Sequence, residues 1–103
     1  SLTLPLIAAG GTGIISVVAN EIPAEFSQMV HAALDGDFDT ARSLHYEWLD
    51  LMNVNFIESN PIPVKTALAA MRRIKEVFRL PLTPMAPKNK EALVEVLKKH
   101  KLI

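Results

Sequence analysis

Apolar positions along the chain fall into one short continuous run followed by a succession of helical stripes. Residues 14–18, Ile14-Ile15-Ser16-Val17-Val18, are β-branched, nearly uninterrupted and entered from Gly10-Gly11-Thr12-Gly13. That is the pattern of a strand covered on both faces, as in a parallel sheet. Ahead of it, residues 2–9 read as a short helix that Gly10 or Gly11 ends in the left-handed conformation, weakened by Pro5 unless it sits in the first turn. Everything after Asn20 has helical spacing. Ile22, Phe26, Met29, Val30, Ala33 and Leu34 share one face, with Pro23 suited to a first helical position and Asp35-Gly36 as a stop. Asp37 or Asp39 suits the next cap, and Phe38, Ala41, Leu44, His45, Trp48, Leu51, Met52 and Phe56 keep step as far as Asn60-Pro61, which predicts the longest helix. Ile62-Pro63-Val64 opens another helix. Leu80-Pro81 and Thr83-Pro84 then force an extended connection, and residues 89–99 make a last helix with Ala92, Leu93, Val96 and Leu97 inward and lysines at its C-terminal end.

A strand cannot satisfy its own backbone. Leaving both edges dry and unpaired costs about 1–3 kcal/mol per group, and the sequence contains no second strand pattern to pair with residues 14–18. The chain therefore reads as one piece of something larger. No repeat, low-complexity segment or long flexible linker divides it.

Composition narrows the class. Half the residues are apolar and the formal charge is zero, and no apolar run reaches the roughly 18 residues needed to cross a bilayer. Neither a membrane-spanning nor a disordered chain is expected. The leading Ser1-Leu2-Thr3-Leu4-Pro5-Leu6 is apolar without the basic region of a signal peptide, so no export signal is read there. The absence of cysteine excludes disulfides and cysteine-ligated zinc and is compatible with the cytoplasm. Charge is uneven: residues 1–60 hold one basic group, Arg42, against eight acidic ones, and residues 61–103 hold ten basic against three acidic. Lys88, Lys90, Lys98, Lys99 and Lys101 lack the interleaved aromatics of a single-strand binder, so no nucleic-acid partner is expected. They read as a solvated face complementing acidic helices.

Candidate chemistry is sparse. The Gly10-Gly11-Thr12-Gly13 turn precedes a strand, whereas phosphate loops follow one and open a helix. His31, His45 and His100 sit one per helix without i, i+4 partners, so no metal site is expected, and no cofactor is assigned. Glu21, Glu25, Asp35, Asp37 and Asp39 read as caps and solvated faces, Trp48 as core, and Tyr46 as a surface anchor. Lys65 invites comparison with an imine-forming lysine, but it lies near a helix N-terminus after a proline-rich turn, which favours a structural role. Asn60, before a proline, reads as the residue that orders that turn.

Two segments, Gly10-Gly11-Thr12-Gly13-Ile14-Ile15-Ser16-Val17-Val18-Ala19-Asn20 and Asn60-Pro61-Ile62-Pro63-Val64-Lys65, with Arg79-Leu80-Pro81-Leu82-Thr83-Pro84 beyond, resemble the C-terminal portion of the dihydrodipicolinate synthase family. The resemblance covers essentially the whole chain. It implies a mostly α chain that is the C-terminal piece of a (β/α)8 barrel: residues 1–36 supply the last helix-strand-helix and residues 37–103 a C-terminal helical layer. A whole barrel takes roughly 250 residues. The resemblance further implies a lyase that forms a Schiff base with pyruvate and condenses it with aspartate semialdehyde in lysine biosynthesis. It also implies a homo-oligomer, a tetramer in the family, in which the helix matching residues 2–9 lies near a subunit contact.

The Schiff-base lysine and the tyrosine and threonine of the family's proton relay belong to segments without a counterpart here, so no catalytic residue is assigned and the chain alone is expected to be inactive. The position matching Ile15 contributes its backbone carbonyl to the pyruvate pocket, with Ser16 and Val17 as weaker neighbours; a core strand without ligand contact is the competing reading of these side chains. One departure is Arg72, where a glycine commonly closes the helix. The alternatives are a fragment of the related N-acetylneuraminate lyases, which the Asn-Pro-Ile-Pro-Val-Lys run disfavours, and a non-catalytic helical interaction module.

Overall fold

The computed structural model describes all of residues 1–103 and contains six α-helices, one 3-10 turn and no strand. The helices are α1 (Thr3–Ala8), α2 (Pro23–Leu34), α3 (Phe38–Glu47), α4 (Leu49–Val54), α5 (Ile62–Ala70) and α6 (Pro87–Lys99), with the 3-10 turn at Val18–Asn20. The chain forms two compact units, Ser1–Asp50 and Leu51–Ile103.

In the first unit α2 is the centre, packed against α1, α3 and the 3-10 turn. Ile7, Ala33 and Ala41 form a buried cluster with Leu4, Val30, Ala32 and Phe38 packed around it. The small residues at the middle of that cluster allow the helices to approach closely. In the second unit α5 packs on α6, and Leu51, Ala67, Leu93 and Leu97 are fully buried. Burial of a leucine side chain contributes about 1.5–3 kcal/mol, so the Leu93 and Leu97 pair on one face of α6 is what keeps that helix in place.

Four helix ends close in the same way, with a left-handed residue after the cap and two backbone bonds reaching back into the last turn. Gly10 (φ 104°) ends α1, with its N–H donating to the Ile7 carbonyl and that of Gly11 to the Leu6 carbonyl. Gly36 (φ 82°) ends α2 through bonds to Ala33 and, from Asp37, to Ala32. Arg72 (φ 60°) ends α5 and Lys101 (φ 56°) ends α6 by the same pairs of bonds. The two glycines adopt this backbone without a Cβ penalty; the arginine and lysine do not.

Three sequence expectations require correction. Residues 14–18 do not form a strand: no backbone N–H from Thr12 to Val17 finds a partner, and the segment continues instead into a bend and the 3-10 turn. A strand is a property of a hydrogen-bonded pair, and the chain supplies no second member. The long helix expected from Phe38 to Phe56 is two helices, broken at Trp48, whose backbone (φ −101°, ψ 6°) caps α3. Apolar spacing stays in phase across the break, and neither glycine nor proline marks it. Glu21 is buried, 1 % exposed, rather than solvated, because the 3-10 turn folds it inward between Val18 and Ile22, both buried. Smaller differences are that α6 begins at Pro87 and leaves Ala92 exposed.

Replacing Arg72 by glycine relieves the left-handed penalty of about 1–2 kcal/mol against an entropic cost of about 0.4–1 kcal/mol. The Arg72→Gly chain is expected to show a higher urea midpoint, whereas Gly11→Ala lowers it because a Cβ there would stand 2.9 Å from the Leu6 carbonyl oxygen. A lower midpoint for Arg72→Gly would contradict this account of the α5 terminus.

Candidate functional site

Residues 12–17 lie between a fixed entrance and a fixed exit. The entrance is the Gly10-Gly11 closure of α1. Gly11 is there because any side chain would meet the Leu6 backbone. At the exit, the Asn20 backbone N–H and its side-chain Nδ2 both donate to the Val17 carbonyl, at 3.1 and 2.9 Å. Pro23 then opens α2 at its first position, where the missing N–H costs nothing.

Between these ends the chain alternates. Thr12, Ile14 and Ser16 face a shallow groove of about 380 Å³ whose other wall is α2, chiefly Phe26, Val30 and Leu34. Ile15 points the other way, with its side chain fully exposed at 103 %. Alternation with a period of two is the side-chain geometry of an extended segment, so the sequence pattern has set the direction of each side chain even without a partner strand. Ile15, the candidate site residue, thus stands on the face away from the helices, and its carbonyl is unpaired within the chain.

Besides Thr12 and Ser16, the groove holds a hydrogen-bonded pair of polar side chains on α2, Ser27 and His31, one turn apart with Oγ and Nδ1 3.2 Å apart. They do not form a nucleophile and base. His31 Nδ1 also lies 2.8 Å from the Ser27 carbonyl, which can only accept, so the proton sits on Nδ1 and that nitrogen is not available to take one from the serine. The three histidines are not brought together, and no group of three acidic or histidine side chains could hold a metal ion.

Lys65 does not enter the site either. Its ammonium donates to the Val77 carbonyl and lies 5.1 Å above the centre of the Phe78 ring, so the side chain is held by residues 77 and 78. Asn60–Pro61, at the start of the same motif, is a cis peptide bond. Sequence reasoning missed Glu58, whose Oε1 accepts from the Ala86 N–H at 2.9 Å and from Asn89 Nδ2 at 2.8 Å. It supplies from a distant loop the cap that Ala86, at the start of α6, cannot make. Nothing local in the sequence signals a cap 28 residues away.

Two groups at the ends of α3, the capping Asp37 and His45 in its last turn, have shifted titrations. Asp37 accepts from the Thr40 N–H at 3.1 Å, and this bond holds its carboxyl below the usual 3.8. Burial, aided by the positive chain terminus, holds His45 below its usual 6.5. Both folded values are depressed, so each contribution is complete above the ordinary value and is lost as pH falls through the lowered one. Urea midpoints measured against pH are expected to fall below pH 6.5 less steeply in His45→Gln than in the parent chain, while Asp37→Asn differs from the parent in slope only below pH 3.8. Parallel profiles for all three chains would contradict both assignments.

Comparison with known proteins places this geometry. The model of the dihydrodipicolinate synthetase family matches residues 1–100. The 4-hydroxy-tetrahydrodipicolinate synthase of Koribacter versatilis is 55 % identical over 96 residues, covering 93 % of this chain and 32 % of that protein. The crystal structure of dihydrodipicolinate synthase from Aquifex aeolicus superimposes with a TM-score of 0.96 at 52 % identity, over 98 % of this chain and 34 % of that one. That of the chloride-inhibited Acinetobacter baumannii enzyme complexed with pyruvate superimposes with a TM-score of 0.95 at 40 % identity, over 99 % and 35 %. The chain thus spans about a third of the length of the relatives it matches.

Proposed function

Because the chain belongs to the dihydrodipicolinate synthetase family, we propose that it serves as the carboxy-terminal third of a 4-hydroxy-tetrahydrodipicolinate synthase, the enzyme that condenses pyruvate with aspartate semialdehyde in lysine biosynthesis. In this reading residues 1–36 close a (β/α)8 barrel, with the segment from Gly10 to Asn20 as its eighth strand and the turn before it, and residues 37–103 form the helical region beyond it. The observation that carries the reading is the extended segment itself. Its backbone N–H groups are unpaired from Thr12 to Val17, and Ile15 is fully exposed. A helical interaction module has no use for such a segment, whereas a barrel lacking its neighbouring strands leaves it in this state.

The division of labour follows. An imine with pyruvate needs an amine free to lose its proton, and Lys65 is engaged with Val77 and Phe78. As the family resemblance implies, the Schiff-base lysine belongs to the rest of the enzyme, and this chain alone is inactive. Its contribution to the pocket is the Ile15 carbonyl, an acceptor presented at the C-terminal half of the strand, which is the catalytic face of a barrel. Ser16, pointing into the groove, is a packing residue. The whole enzyme works as a homo-oligomer in the cytoplasm; consistent with this, no helix here is long and apolar enough to cross a membrane, and Leu2 and Leu6 of the α1 region are exposed at 68 % and 56 %.

Co-expression tests the reading. A polypeptide carrying the first two thirds of a close relative is expected to show condensation of pyruvate with aspartate semialdehyde only when this chain is made with it. Replacing Ile15 by proline, which alters the backbone at the site, is expected to reduce that activity at least tenfold, whereas Ile15→Val leaves it within a few-fold. Activity of this chain alone, or none from the pair when both are soluble, would contradict it.

A further inference from the structure

Between α5 and α6, residues 71–86 form a strap with no regular secondary structure. Its ends are secured independently. At one end the left-handed Arg72 and the bonds of Arg72 and Arg73 to Ala69 and Leu68 tie it to α5. At the other, Met85 is buried, and Glu58 holds Ala86 and Asn89. Glu76 adds a two-oxygen pairing with Lys90 of α6, at 2.8 and 2.9 Å.

The middle of the strap has little to hold it. Ile74, Val77 and Leu80 are exposed at 42, 59 and 88 %, so burial contributes little there. Arg72, Arg73, Lys75 and Arg79 are all exposed and form no ion pair. Against this background a single side chain of α5 reaches across: the Lys65 ammonium, donating to the Val77 carbonyl and seated over the Phe78 ring.

We propose that Lys65 is a latch: beside the Glu76–Lys90 pair, which ties the strap to α6, its cation is what fixes the middle of the strap to the first turn of α5, and the strap opens there as a local unit when that cation is removed, with α5 and α6 remaining folded. The chemistry suits the task. A carbonyl and an aromatic face are both attracted to a positive charge and not to an apolar chain of the same length, so the latch depends on charge rather than on the stem's packing. The strap's low burial and its internal bonds, Val77 N–H to Lys75 and Leu82 N–H to Arg79, are those of a segment that opens at low free-energy cost. Lys65 is thus a positioning residue of the Asn60-Pro61-Ile62-Pro63-Val64-Lys65 motif, and this assignment does not depend on the enzymatic reading above.

Hydrogen exchange of the full chain, read peptide by peptide, tests it with Lys65→Met, which keeps the length and removes the charge, and Lys65→Arg, which restores a cation able to stack and donate. Lys65→Met is expected to accelerate exchange roughly tenfold across residues 74–82, leaving α2 and α6 at parent rates, and Lys65→Arg to return the strap toward the parent rate. Unchanged exchange in the strap of Lys65→Met, equal acceleration through α5 and α6, or failure of arginine to restore protection would each overturn the latch.

Discussion

The backbone N–H groups of residues 12–17 find no partner within the chain, and this is the one demand that the helices of the first unit cannot meet. An extended segment with apolar side chains on both faces, Ile14 on one and Ile15 on the other, cannot be satisfied by helices, which bury side chains but offer no backbone partners. The surrounding sequence nevertheless fixes its path. Gly10 and Gly11 set its start by a left-handed turn and a close approach to Leu6, and Asn20 sets its end by folding back on Val17. α2 covers one face only. The other face and both edges remain open, and membership of a barrel family supplies a reason for that openness that the helices themselves do not.

Much of this was legible in the residues, and the misses have physical causes. The helix starts at Pro23 and Asp37 and the stop at Gly36 were readable because capping and left-handed closure are local and depend on residue type. The run at residues 14–18 reads as a strand covered on both faces, and in this chain it is neither a strand nor covered on both, since a pattern reports burial preference while pairing needs a second strand. The break at Trp48 was invisible because the apolar period continues through it. The closure at Arg72 was signalled by its standing where a glycine commonly ends the helix, whereas that at Lys101 was hidden because tertiary context imposes a left-handed backbone on a residue that does not prefer it.

Of the candidate site, Ile15 was named through family resemblance, and the alternation of the segment accounts for its outward direction. The Asn60-Pro61-Ile62-Pro63-Val64-Lys65 motif illustrates the opposite case. Its lysine has the residue type of a nucleophile but the surroundings of a tether. Glu58 likewise resembles a free surface acid in sequence and is a helix cap in the fold. In both, chemistry follows from the partner that folding supplies, and those partners lie 12 and 28 residues away.

In the proposed function this chain builds one wall of a pyruvate site without holding its nucleophile. Intact-mass measurement after incubation with pyruvate and borohydride, which reduces any imine to a permanent adduct, tests it most directly. The chain is expected to remain unmodified alone, and in a reconstituted pair the adduct is expected on the larger polypeptide. A pyruvate adduct on this chain would place a nucleophilic lysine within its own 103 residues and contradict the account.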